Sequence, residues 1–83
     1  MTWSFHVSDH TQQQIESLPL EGQFALLDLI DALEADPFTV VEPYGIADKV
    51  MWQATFGSGA GLLVMFINML TGRITPISFT WAG

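Results

Sequence analysis

The chain has 83 residues and a formal net charge of −7, with nine carboxylates against two basic side chains, Lys49 and Arg73. A surface that grips phosphates needs several Lys or Arg on one face, so this balance speaks against RNA or DNA as a direct ligand. Cysteine is absent, which excludes disulfides, thiolate metal sites and Cys nucleophiles and fits a reducing compartment.

The length predicts a single domain over residues 1–83 with a thin core, burying only about 60–65% of the surface its unfolded form exposes. Yet 49% of the residues are apolar and 13% are charged. That surplus predicts some apolar surface that meets another chain, as a homo-oligomer or with a stable partner. The first ten residues, MTWSFHVSDH, lack a basic segment followed by an apolar one, so no signal peptide is expected. The longest apolar run, Leu62 to Ile67, is far short of the roughly 20 residues that span a bilayer. A cytoplasmic location without membrane contact is expected.

Thr2 to Val7 alternates, with Trp3, Phe5 and Val7 pointing one way. That period of two predicts a first strand with one buried face. Ser8 stands where a helix N-cap belongs, and Asp9 follows in the first turn, where the helix dipole favours a carboxylate. The helix predicted over Asp9 to Ser17 carries Ile15 and Leu18 as apolar contacts. Leu18-Pro19 stops it, because a residue before proline avoids the α region.

A second helix is predicted from Leu20 to Ala35. Phe24, Leu27, Ile30 and Leu33 recur at i, i+3 spacing and are expected to form its buried stripe, widened by Leu26 and Leu29. Glu21, Ala25, Asp28 and Ala32 then occupy the narrow remaining face. Asp36-Pro37 ends the helix. Two helices joined by so short a link predict an antiparallel hairpin.

Phe38 to Asp48 reads as a connector punctuated by Pro43, Tyr44 and Gly45. Three strands are predicted next. Val50 to Phe56 alternates Trp52, Ala54 and Phe56 against Met51, Gln53 and Thr55. Gly57 to Gly61 is a turn. Leu62 to Leu70 is almost continuously apolar, which suits a central strand covered on both faces. Thr71-Gly72 is a two-residue turn, and Arg73 to Trp81 closes the sheet with Ile77, Phe79 and Trp81 on one face. Pro76 cannot donate to a ladder and marks a bulge or an edge. The expected class is α+β: a strand, a two-helix antiparallel hairpin and a three-stranded antiparallel meander, with the helices on one face of the sheet.

Residues that could carry chemistry are few. Arg73 follows a turn glycine and could clamp a phosphate or carboxylate, but it reads instead as a surface charge at a strand end. Lys49 reads as a solvated residue at the start of a strand. His6 and His10 are four apart but straddle a strand-to-helix junction, so they lack the shared helix face that binds zinc. His6 as a general acid or base lacks cationic company. Asp28, Asp31 and Glu34 read as a solvated helix face rather than a catalytic carboxylate pair. GSGAG over residues 57–61 lacks the Lys-Ser/Thr and following helix of a phosphate loop. No cofactor or metal is implied. Of the large aromatics, Trp81 and Phe79 are the candidate interface residues, and Trp3 and Trp52 are expected in the core.

The order of elements, with these residues, resembles the RelE/ParE toxin superfamily of bacterial toxin–antitoxin modules. The resemblance rests on the opening Trp3-Ser4-Phe5-His6-Val7 and a short helix closing on Leu18-Pro19. It continues through Leu33-Glu34-Ala35-Asp36-Pro37 to a meander containing Leu62-Leu63-Val64-Met65-Phe66-Ile67, and spans nearly the whole chain. It implies a small toxin that either cleaves mRNA on the ribosome or blocks DNA gyrase, silenced by an antitoxin segment wrapped around it. It also implies Arg and Lys on the concave face of the sheet, holding phosphate. The chain departs from that pattern at those positions. The strand expected to be basic reads Val50-Met51-Trp52-Gln53-Ala54-Thr55-Phe56, and the arginine expected at the head of the next strand falls near Leu62 or Leu63. The family's C-terminal Arg has no counterpart before Thr80-Trp81-Ala82-Gly83, and only Lys49 lies near a matching position.

Three functions follow as expectations. In the first, a RelE/ParE-like domain acts through contact with an antitoxin-like peptide or a second copy, without mRNA cleavage, so an enzymatic role is disfavoured. The second is an active toxin with an atypical site built from His6, Lys49 and Arg73. The third is an acidic decoy that occupies a basic partner, which requires its carboxylates to cluster.

Overall fold

Ser8 sets the start of the helical layer. Its hydroxyl oxygen accepts a hydrogen bond from the Thr11 backbone N–H at 3.2 Å, the N-cap expected from its position. The computed structural model describes residues 2–45 and 51–82. Within them α1 spans Asp9–Glu16 and α2 spans Leu20–Ala35. Pro19 separates the helices, and the Gln23 side-chain amide donates to the Leu18 carbonyl at 2.9 Å across the link. After α2, the Asp36 carboxylate accepts from the Phe38 N–H and starts a 3-10 turn over Pro37–Thr39.

The strands are β1 (Ser4–Phe5), β2 (Glu42–Pro43), β3 (Met51–Phe56), β4 (Gly61–Asn68) and β5 (Arg73–Trp81). They form one sheet in the order β1-β5-β4-β3-β2, with β1 parallel to β5 and every other pair antiparallel. The chain starts at one edge, crosses through both helices to the other edge, and meanders back to lie beside its own beginning. The α+β class, the helices on one face and the final meander are as expected. The fifth strand is not. The added strand is β2, inside the segment whose sequence predicts a connector; it is two residues long, contains Pro43 and has no alternation to mark it.

Three further details differ from the sequence reading. The first strand shrinks to Ser4–Phe5, because the backbone at Ser8 is already committed to capping α1; Val7 is exposed. β4 ends at Asn68 rather than Leu70. The Asn68 side-chain oxygen accepts from the N–H groups of Leu70 and Thr71 at 2.9 and 3.3 Å, so the turn begins there and leaves Leu70 93% exposed. In β5, the register passes from Val64 opposite Ser78 to Met65 opposite Pro76. Ile77 is therefore the extra residue of a bulge and faces solvent, apart from Phe79 and Trp81. Pro76 explains the bulge, since it has no N–H to give the ladder.

The core lies between α2 and the helix-side face of the sheet. Leu26 and Leu33 of α2 are fully buried against Ala54, Leu63, Met65 and Ile74. The buried stripe of α2 is Gly22, Leu26, Leu29 and Leu33, which corrects the stripe expected from the sequence. Phe24 and Leu27 are 64% and 53% exposed and lie on the outer side. Gly22 lies on this inward side. A Cβ there would stand at ordinary contact distance, 3.4 Å, from the Trp81 ring, so this part of the helix lies directly against the last strand.

Trp81 closes one end of the core. It stacks on Phe56 with ring centroids 5.7 Å apart and planes 21° off parallel. Gly57 adopts a φ of +63°, and a Cβ there would meet the Trp81 ring at 2.6 Å. At the other end Phe38 packs edge-on against both Trp3 and Trp52, at 5.6 and 5.2 Å.

Candidate functional site: the open face of the sheet

Residues whose neighbours along a strand face the helices must point the other way. This second face carries Met51, Gln53 and Thr55 from β3 and Leu62, Val64, Phe66 and Asn68 from β4. Arg73, Thr75, Ser78 and Thr80 of β5 complete it. The cross-strand register sets them in rows: Met51–Phe66–Thr75, Gln53–Val64–Ser78 and Thr55–Leu62–Thr80. Among the described residues both helices lie on the opposite side, so β4 is roofed on one face rather than two. Val64 is nonetheless only 7% exposed, shielded by its neighbours within the sheet.

A shallow cavity of about 220 Å³ opens on this face near the β2 edge, lined by Val40, Glu42, Gln53, Ala54, Thr55 and Leu62. It forms because β2 pairs only with Trp52 and Gln53. The chain before β2 diverges and leaves a gap beside the rest of β3. Its polar groups are a carboxylate, an amide and a hydroxyl. They can hydrogen-bond a peptide backbone or polar side chain, but they offer no cation to a phosphate. Val40 and Glu42 were missed as site residues because their part in the cavity depends on β2.

Arg73 also lies on the open face, exposed, opposite Asn68 and Ser4. Leu62, at the cavity, and Asn68, beside Arg73, are six residues apart on β4, roughly 20 Å at the rise of a strand. The guanidinium is therefore at the far end of the face from the cavity. His6 is exposed just past β1, with its backbone N–H bonded to the Ile74 carbonyl. Strand alternation carries it to the same side as Ser4 and Arg73. The topology thus brings His6 and Arg73 near each other at the β1–β5 edge, through a parallel pairing that spacing could not reveal. Lys49 lies outside the described residues.

Phe79 and Trp81, the candidate interface pair, face the helices and pack against the core. Their half-burial is that of a core margin, and the exposed apolar residues are elsewhere. His10 is in the first turn of α1, exposed. Among the described residues no group of three or more His, Asp or Glu is placed to hold a metal ion. The GSGAG segment runs directly from β3 into β4 as a hairpin connection, with positive φ at Gly57, Ser58 and Gly59. Of the nine carboxylates, Asp9 and Glu16 lie on α1 and Glu21, Asp28, Asp31 and Glu34 on α2. Glu42 is the one carboxylate at the cavity. No helix among the described residues is long and apolar enough to cross a membrane.

No family model and no curated protein sequence matches the chain. Solved structures do. A chain of the toxin–antitoxin complex RelBE2 from Mycobacterium tuberculosis superposes with a TM-score of 0.81 at 13% identity, over 98% of this chain and 99% of that one. A chain of the archaeal RelE–RelB complex from Pyrococcus horikoshii gives a TM-score of 0.71 at 19% identity, over 100% of this chain and 98% of that one. Two helices laid on one face of a five-stranded, mostly antiparallel sheet, matched end to end by these structures, make this the RelE-like toxin fold.

Proposed function

We propose that this protein works as a RelE/ParE-like protein through protein–protein contact, holding an antitoxin-like segment on the open sheet face, and does not cleave mRNA. The observation that carries this reading is the chemistry of that face. It presents apolar, hydroxyl and amide side chains in ordered rows, with Arg73 about 20 Å along the sheet from the cavity. A phosphate-gripping surface concentrates cations, whereas a peptide-binding surface combines apolar contact with scattered hydrogen-bonding groups. The two solved structures described above are both of toxin–antitoxin complexes, which supports a partner of antitoxin type for this chain.

The test is a purified translation extract carrying a defined mRNA, read by primer extension. No new 5′ ends are expected when the protein is added. Ribosome-dependent cuts would overturn the proposal. One observation favours the second reading, an active toxin with an atypical site: His6 and Arg73 share the open face at the β1–β5 edge. Cuts lost in a His6→Ala/Arg73→Ala double variant would establish that reading instead.

A further inference from the structure

The outer side of α2 is an apolar ridge with an acidic border. Leu20, Phe24 and Leu27 lie at i, i+4 and i+7, and all three are more than half exposed. The spacing sets them in one line about 10 Å long. Helical geometry puts Asp31 at the end of that line and Glu21 and Asp28 along one flank, all exposed. α2 has no basic side chain anywhere in its sixteen residues. Its C-terminal end, where the helix dipole is negative, carries Asp31 and Glu34, so cations are favoured there twice over. None of these three apolar residues contributes to the buried core, and none belongs to the open sheet face. The ridge is therefore unexplained both by folding and by the proposed site.

We infer that this face of α2 docks a cationic amphipathic helix from a partner protein, packed side by side with α2. The partner's apolar residues would cover Leu20, Phe24 and Leu27, and its Lys or Arg would lie against Glu21, Asp28 and Asp31. Charge decides between occupants. A second copy of this chain would bring another acidic ridge, with no cation on α2 to meet Asp28 or Asp31, and a net charge of −7 on each molecule opposes that approach. A basic helix gains from both the apolar line and its border. The inference goes beyond the antitoxin-type contact on the sheet, since it concerns the opposite layer of the molecule.

The experiment uses the intact protein and a synthetic amphipathic Leu/Lys peptide of about 18 residues, long enough to hold a helix on binding, with a Leu/Glu peptide of the same pattern as control. Backbone amide shifts locate the contact and titration gives the affinity. The Leu/Lys peptide is expected to bind and to perturb residues 20–31, while the Leu/Glu peptide does not bind. Phe24→Gln/Leu27→Gln should weaken binding at least tenfold, about 1.4 kcal/mol, and Asp28→Asn/Asp31→Asn by several-fold, with the remainder less sensitive to salt than in the unaltered protein. Both double variants change exposed residues, and unchanged thermal unfolding verifies that they remain folded. The inference is overturned by shifts spread over the whole acidic surface or centred on Leu62, Val64 and Phe66. Equal binding of the two peptides also overturns it. So does concentration-dependent dimerisation at pH 7, where the charge of −7 opposes it, that Phe24→Gln/Leu27→Gln abolishes, because a second copy would then be the occupant.

Discussion

Glu34 does more than decorate a solvated helix. Its carboxylate accepts the backbone N–H of Phe5 at 3.0 Å. Phe5 lies on β1, an edge strand whose other side is bonded to β5 through the N–H groups of Ser4 and His6. The Phe5 N–H points away from β5, where a foreign strand would otherwise find a donor. A carboxylate from α2 occupies that donor and places negative charge on the edge, a device that discourages edge-to-edge pairing. Glu34→Ala should lower stability by about 1 kcal/mol and raise the tendency to aggregate, whereas Glu34→Gln, which keeps an acceptor oxygen, should retain most of the stability. Chemical denaturation and light scattering measure the two effects. Sequence spacing could not suggest this role, because the partners are 29 positions apart.

At the level of elements, α2 shows both how far a sequence can be read and where reading stops. Its boundaries were legible, since Leu18-Pro19 and Asp36-Pro37 punctuate the chain by known backbone restrictions. Its inner face was not. Leucine, isoleucine and phenylalanine occur nearly all round the helix, so two stripes fit the helical period equally, and hydropathy counts Gly22 as neutral. Packing resolved the choice. Gly22 lies against Trp81, and Leu26, Leu29 and Leu33 follow on its side. Leu26→Ala and Leu33→Ala should each cost about 2–5 kcal/mol, while Phe24→Gln and Leu27→Gln should change stability by less than about 0.5 kcal/mol. Thermal unfolding of the four variants separates the two stripes directly. The open face was legible in β3 as the alternate residues Met51, Gln53 and Thr55. In β5 the bulge at Ile77 reset the alternation, and the cavity depended on a two-residue strand that carries no periodic signal.

On the scale of the whole molecule, charge and apolar surface oppose each other. The acid surplus keeps copies apart, and the exposed ridge on α2 would draw them together once that repulsion is removed. The sequence pI is near 4.2. Light scattering should therefore rise as the pH falls from neutrality toward that value, and Phe24→Gln/Leu27→Gln should reduce the rise. An unchanged rise would mean that the ridge plays no part in self-association.

The pairing of Ser4 with Arg73 and of Phe5 with Ile74 also bears on how the protein is made. The first strand must wait for a partner almost the whole length of the chain away. Contacts of such long sequence separation are slow to form because the intervening loop must close first. During synthesis β1 can meet α2 early, but its pairing in the sheet must wait until β5 has left the ribosome. The edge at which His6 and Arg73 meet is thus assembled last. A nascent chain would leave the ribosome with its sheet still open, and any partner that binds before release would meet that unfinished form.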